Sequence, residues 1–302
     1  MTLDVVCVGA VTLDRIAVVD RTPGEDERVV AEPFVVAGGG PAATAAVSLA
    51  RLGASVGFCG VVGNDPAGRL VRRQLVDEGV DVQWLETREG VRTTESMILV
   101  SRPTGARTII TTPSIAPEST AVPIAASTWL HVDQTGYRPV REALDGLAGA
   151  GPLLSIDGGN PIDGLDLVGV QLYAPTVSAL REVVPSESLA ESMRAAAALV
   201  PHVVSTNGSA GSHVLEHSEV VTVSPFAIQA VSTMGAGDVF HGALLAGIIA
   251  GRDLADAARW ANAVAALSCR TLDGRSGIPT ARQTQAFIAE ATASAHGQNR
   301  TE

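Results

Sequence analysis

The 302-residue chain predicts an α/β fold: one large domain whose mostly parallel sheet is covered by helices on both faces, with a small β appendage at one end. Three observations carry this. Short β-branched runs alternate with segments of helical period, and no repeat of 20–50 residues or low-complexity linker divides the chain. Hydrophobic residues reach 46% but aromatics only 3%, so Ala, Val, Leu and Ile must build a large core.

The first run, Val5 to Val8, ends at Gly9 and reads as a buried strand. From Ile16 to Val36, short apolar pieces (Ala17 to Val19, Val29 to Val30, Phe34 to Val36) are interrupted by Pro23, Gly24 and charges, a pattern of small exposed strands. Pro41 to Leu52 then switches to helical spacing through Ala42, Ala45, Ala46 and Leu49, with proline in the first turn and Gly53 just past the end. Ser55 to Cys59 is a strand, and the stretch from Asp65-Pro66 through Leu70 and Leu75 to Gly79 is a helix. Thr94 to Val100 and Thr108 to Thr111 form a hairpin across Pro103-Thr-Gly105.

Regular alternation follows: strand Trp129 to Val132, helix near Val140 to Leu147, strands Leu153 to Ile156 and Leu172 to Tyr173, helix Leu189 to Val200, strand Val203 to Ser205. The last third holds three helices, Asp238 to Ile249, Asp253 to Leu267 and Thr280 to Ala295. Residues 1–295 are therefore expected to form one domain, with segments of about 12–36 and 92–112 as the β appendage and 296–302 as a frayed tail.

All 21 basic residues are arginines; the chain contains no lysine. This excludes Schiff-base enzymes, the Walker A phosphate loop and the eukaryotic protein-kinase site, each of which needs a lysine. The net charge of −11 and the scattered arginines give no footprint for nucleic acid. Three cysteines, Cys7, Cys59 and Cys269, form no disulfide framework and suit a reducing compartment. With no basic leader and no apolar run near 18 residues, a cytoplasmic protein that neither enters nor spans a membrane is expected.

The strongest local signal is Val231-Ser-Thr-Met-Gly-Ala-Gly-Asp-Val-Phe-His-Gly-Ala243. Gly235, Ala236 and Gly237 precede an apolar helix, so their amides can face an anion with the helix dipole behind them. A lone Gly-Asp pair would be an ordinary cap. Within the whole string, Asp238 beside an anion hole suits transfer of a phosphoryl group to a hydroxyl, the carboxylate accepting the hydroxyl proton.

A second signal, Ala37-Gly-Gly-Gly-Pro-Ala-Ala-Thr-Ala45, is a glycine run ahead of a helix. Gly38-x-Gly40-x-x-Ala43 also meets the degenerate dinucleotide fingerprint, but it follows the appendage rather than the first strand, and the next strand ends at Cys59-Gly60 instead of an acidic residue. Ser205 to Gly211 carries turn chemistry after a strand, and Asp14 lies on the turn after the first strand, where it could be only a cap. His213 and His217 fall in a strand-like stretch, so no metal site is expected there, and no Gly-x-Ser-x-Gly nucleophile elbow exists.

Five blocks in order, Val8-Gly-x-x-x-x-Asp14, Gly38-Gly39-Gly40-Pro41, Gly60-x-x-Gly63-x-Asp65-x-x-Gly68, Thr206-x-Gly208-x-x-Gly211 and Gly235-Ala-Gly-Asp238, resemble the ribokinase-like, or PfkB, family of carbohydrate kinases over essentially the full length. The resemblance implies a three-layer α/β/α kinase with a β-sheet lid, using ATP and Mg²⁺ to phosphorylate a sugar hydroxyl. It makes Asp238 the catalytic base and Gly235, Ala236 and Gly237 the anion hole. Asp14, Gly39, Gly40 and Thr44 would touch the sugar; Thr206, Gly208, Gly211 and Asn262 would serve the nucleotide. The lid, 12–36 with 92–112, would close over the sugar and clasp a second copy in a homodimer.

Departures from the family pattern bear on the cofactors. Ser232 replaces an Asp that helps bind an activating monovalent cation, which makes potassium activation doubtful. The magnesium-linked N-x-x-E pattern would fall at Ala174-Pro-Thr-Val177 and is absent, leaving Mg²⁺ to phosphates and water. Thr44 stands where Asn is frequent. The strings GGGPAATAA, GAGDVFHGAL and GRSGIP are most similar to sulfofructose kinases, and on that likeness Arg28, Thr111 and Arg138 are candidate sulfonate readers. A catalytically silent sugar-binding relative and an NAD-linked oxidoreductase remain as alternatives.

Overall fold

The computed structural model describes residues 2–147 and 151–298. The strands in chain order are β1 (Leu3–Val8), β2 (Thr12–Val19), β3 (Val35–Gly39), β4 (Val56–Gly63), β5 (Asp81–Arg88), β6 (Glu95–Ser101), β7 (Arg107–Thr111), β8 (Ser127–Val132), β9 (Leu153–Gly158), β10 (Leu172–Pro175), β11 (His202–Thr206), β12 (Ser212–Glu216) and β13 (Glu219–Val223). The helices are α1 (Pro41–Arg51), α2 (Pro66–Asp77), α3 (Tyr137–Leu144), α4 (Val177–Val183), α5 (Leu189–Ala197), α6 (Ala236–Ile249), α7 (Leu254–Ser268) and α8 (Ala281–Gln298).

β1 sits inside a nine-stranded sheet of order β13-β12-β11-β10-β9-β8-β1-β4-β5. It pairs in parallel with β4 (Val5↔Val56) and β8 (Val5↔Trp129), which explains why its run is continuously apolar. Alternate residues face opposite layers. Val5 and Cys7 pack into the core under α1, α2, α6 and α7, whereas Val6 and Val8 join Tyr137, Leu180 and Met193 from α3, α4 and α5. Small residues let α6 lie close on α1: a Cβ on Gly242 would come 2.5 Å from the Ala45 carbonyl oxygen. Among the described residues, no helix is long and apolar enough to cross a membrane.

The appendage is a separate four-stranded sheet, β3-β2-β6-β7, so its two segments assemble as the sequence leads one to expect. Register gives it two faces. Asp14, Ala37, Ser96 and Thr111 share the row that faces the large sheet, while Arg15, Val36, Met97 and Ile110 share the row that faces away. On that outer row Val36, Met97 and Ile110 are 41%, 51% and 60% exposed. β3 ends at Gly39 and α1 begins at Pro41, so only Gly40 separates lid from body.

Several elements differ from the sequence reading. Val29-Val30 form no strand, β5, α4 and β13 are additional, and the strand-like stretch around His213 is β12. β5 is an edge strand with alternating partial burial and three charged residues, so it lacks the continuous apolar run of its neighbours. The antiparallel β12 and β13 close the opposite edge. α8 continues to Gln298, three residues beyond the expected end; of the expected tail, residues 299–302 lie outside the described residues.

Candidate active site

The lid's inner face and the carboxyl ends of the parallel strands enclose a cavity of about 390 Å³. In an open parallel sheet this is where ligands bind, because the connecting loops and helix N-termini converge there. One wall is the start of α6. Gly235 caps it in the left-handed region (φ +68°), where its lack of a Cβ also matters: a side chain there would meet Gly274 at 3.0 Å. The Ala236 amide donates to the Thr233 carbonyl and that of Val239 to the Gly235 carbonyl. The amides of Gly237 and Asp238 have no acceptor among the described residues, leaving two first-turn donors at the cavity.

Asp238 lines the same wall. Burial pushes its carboxyl up to about 7; Asp157 and Asp133 add to the rise, while His241 and Arg275 oppose it. Across the cavity, the lid brings Asp14, whose Oδ1 accepts from the Thr12 hydroxyl at 2.7 Å. Burial raises Asp14 as well, with Thr12, Ser96 and Arg275 pulling in the other direction.

The glycine block forms the third side. A Cβ on Gly39 would fall 2.1 Å from Asp14 Oδ2, and one on Gly40 would fall 2.5 Å from the Ala10 carbonyl oxygen. These glycines therefore let β3 pass close to Asp14 and the turn after β1. Thr44, on the first turns of α1, lines the cavity and accepts from Arg275 Nε at 3.2 Å. Thr111 also lines it, its hydroxyl accepting from Ser96 at 3.2 Å. The block leads from a lid strand into α1, not from β1, which removes the geometry that a dinucleotide fingerprint requires.

The expected nucleotide residues divide. Thr206 lines the cavity at the end of β11. Gly208 is exposed on the following 3₁₀ turn (Gly208–Ala210), with φ +54°; Gly211 closes that turn with φ +91°, its hydrogen facing the Val223 carbonyl where a Cβ would clash. Asn262, on α7, is buried and donates from Nδ2 to the carbonyls of Val223 (3.1 Å) and Ser224 (3.3 Å). It thus fixes the rim of a second hollow of about 1350 Å³ between the 223–227 loop, α7 and α8, in which Phe226 and Phe287 lie 5.3 Å apart.

Two expected sulfonate readers are not brought to the cavity. Arg28 is exposed on the loop between β2 and β3, and Arg138 is 84% exposed on α3, where it pairs with Glu142 one turn on. The arginine that does line the cavity is Arg107, at the start of β7. Sequence reading also passed over Arg275, Asp133 and the Asp157–His241 pair. Arg275 is 6% exposed and donates from Nη2 to the Gly39 carbonyl at 2.6 Å; burial lowers its guanidinium to about 10. Asp133 accepts from the amides of Ala10, Ala42, Thr135 and Gly136, knitting β1, α1 and α3 together behind the glycine block.

Magnesium has few protein donors here: among the described residues no group of three or more His, Cys, Asp or Glu side chains could hold a metal ion, and Val177 offers no oxygen from its side chain. The unmatched amides at the α6 terminus fit nucleotide phosphates instead.

This geometry can be compared with known proteins. The family model described as pfkB family carbohydrate kinase matches residues 2–143 and 165–281. The chain belongs to that family. The kinase is 32% identical over 259 residues to a fructokinase of Klebsiella pneumoniae, covering 78% of this chain and 82% of that one. It is 24% identical over 301 residues to a ribokinase of Haemophilus influenzae, covering 94% and 98%. Among solved structures, the ribokinase of Thermotoga maritima superposes with a TM-score of 0.82 at 22% identity over 95% of the kinase and 99% of that chain. Arabidopsis thaliana ribokinase, solved with ribose and ATP, gives 0.77 at 22% identity over 95% and 99%. The kinase therefore has the ribokinase-like fold, a large mostly parallel sheet with a smaller separate lid sheet, and is a carbohydrate kinase.

Proposed function

We propose that the kinase transfers a phosphoryl group from ATP to a hydroxyl of a hexose or ketose bound between the lid and α6. One observation carries this: Asp238 and the α6 amides face Asp14, Ser96 and the Gly39-Gly40 turn across a single cavity of sugar size. In this reading Asp14 accepts hydrogen bonds from the sugar, with Gly39, Gly40, Thr44 and Thr111 completing its contacts. Asp238 takes the hydroxyl proton as the new bond to phosphorus forms. The amides of Gly237 and Asp238, with that of Gly235, meet the charge that develops on the phosphoryl oxygens; the Ala236 amide, expected in this role, is already given to the Thr233 carbonyl. Thr206, Gly208, Gly211 and Asn262 hold or shape the nucleotide side; Mg²⁺, for which the described side chains offer no cluster of ligands, would neutralise phosphate charge when it enters with the nucleotide.

Fructose is the first substrate to test, on the fructokinase likeness. The second reading, 6-deoxy-6-sulfofructose, is favoured by the GGGPAATAA, GAGDVFHGAL and GRSGIP strings, with Arg107 rather than Arg28 or Arg138 reading the anion. ADP release coupled to a sugar panel of fructose, fructose phosphates, ribose, ketodeoxygluconate, nucleosides and sulfofructose tests both. Turnover confined to one of these assigns the substrate, and sugar binding without ATP-dependent acid release would leave the silent relative standing. Ser232 is buried and its hydroxyl accepts from the Met234 amide, so little response to potassium is expected. The apolar outer row of the lid, Val36, Met97 and Ile110, suits a second copy of the chain, and Met97→Glu should shift a homodimer to monomer in sedimentation.

A further inference from the structure

One charged cluster of the cavity has no part in the scheme above. Asp157, at the end of β9, and His241, on α6, line the cavity wall with their side chains each 3% exposed, and Asp157 Oδ2 lies 2.6 Å from His241 Nδ1. Asp157 Oδ1 accepts from the Gly159 amide at 2.8 Å, so both carboxylate oxygens are engaged. His241 follows Asp238 by three residues on the same helix, a spacing that makes the two side chains neighbours. We propose that His241 is a positioning residue that neutralises Asp157 beside the base, so that Asp238 can lose its proton in the working pH range. The inference rests on Asp238 acting as the base.

The groups that face Asp238 fix the sign. From β9, Asp157 disfavours a second negative charge; from the turn after β8, Asp133 does the same; His241 on its own helix and Arg275 from the loop before α8 favour it. His131 on β8 has its ring centre 6.4 Å from that of His241, bonds to the Ser155 hydroxyl at 3.0 Å, and is lowered by burial to about 4, so it stays neutral. Burial works against the His241 imidazolium, but Asp157, Asp238 and the Ala174 carbonyl outweigh it and hold the ring protonated. Without that cation, Asp157 would stand as an uncompensated negative charge next to Asp238. Removing both members would take away both charges together.

The test is a pH profile of turnover for the parent, His241→Gln, and the Asp157→Asn/His241→Gln double variant. The single variant should move the acidic limb up by about 1–2 pH units, with KM for sugar and ATP little changed. The double variant should bring the limb back toward the parent. An unmoved limb in His241→Gln, or a double variant no better than the single, overturns the proposal. A second readout needs no turnover: the His241 ring, assigned by NMR from its loss in His241→Gln, should titrate above the ordinary imidazole range in the parent and at distinctly lower pH in Asp157→Asn. A ring already neutral at pH 7 in the parent also overturns it. Absence of phosphorylation across the whole sugar panel would count against the proposed function instead, while the ring titration still decides the pair.

Discussion

Arg107 of the lid donates from Nη1 to the Thr233 hydroxyl at 2.8 Å, two residues ahead of the cap of α6. The lid is thereby latched to the loop that leads into the unmatched amides of α6. Arg107→Ala should lower kcat/KM for the sugar by about 10–100-fold, because a lid that fails to seat leaves the reacting groups misplaced. Steady-state kinetics check this, and with an anionic sugar the loss should be larger than with a neutral one.

Asp238 offers a test in which activity and stability move in opposite directions. Its carboxyl is raised to about 7, chiefly by burial, against about 3.9 for an unperturbed aspartate, so turnover should fall as pH drops below about 7. The folded chain binds this proton more tightly than the unfolded one. The stability linked to it is full below about pH 4 and is lost as pH rises through 7. Asp238→Asn should therefore cut turnover by about 10²–10⁴-fold while raising Tm at pH 8 more than at pH 5.

Arg275 backs the Asp14 side of the cavity. Its guanidinium joins the Gly39 carbonyl, the Thr44 hydroxyl and the charge of Asp14, on segments more than 200 residues away in sequence. Arg275→Met keeps much of the volume and removes the donors. Thermal or denaturant unfolding should show a loss of about 3 kcal/mol, and KM for the sugar should rise more than KM for ATP.

Two glycines with similar backbones separate strain from crowding. Gly40 has φ +92° and a Cβ position 2.5 Å from the Ala10 carbonyl oxygen, whereas Gly53 has φ +99° and nothing within 4 Å. Gly53→Ala should cost about 1 kcal/mol, from backbone strain alone. Gly40→Ala should cost about 3 kcal/mol or more, since the crowding atom is main chain and cannot step aside. Parallel unfolding curves of the two variants measure the difference.

Sequence patterning revealed the parallel sheet because its central strands are apolar without interruption and its helices are punctuated by Pro41, Pro66, Gly53 and Gly79. It missed β5 because an edge strand carrying Asp81, Glu86 and Arg88 has only part of its surface covered. The Gly-Ala-Gly-Asp block and the glycine run were legible because backbone chemistry leaves a local signature. Arg275, Asp133, Asp157 and His241 were not. Their roles depend on partners brought together by the sheet order, such as Asp133 with Ala42, 91 residues apart, or His241 with Asp157 on a different element. Arg28 and Arg138 show the converse: position or near-position in a string does not point a long side chain inward.

The join between β3 and α1 has a consequence for the order of events. Because Gly40 alone links a lid strand to a helix fixed in the body, the chain has no slack there, and the lid cannot swing without turning the Gly39-Gly40 peptide and Asp14 with it. If Asp14 and the Gly39-Gly40 turn contact the sugar as proposed, closing the lid also tightens those contacts, so capture and sealing are mechanically coupled, and opening loosens the hold on the product.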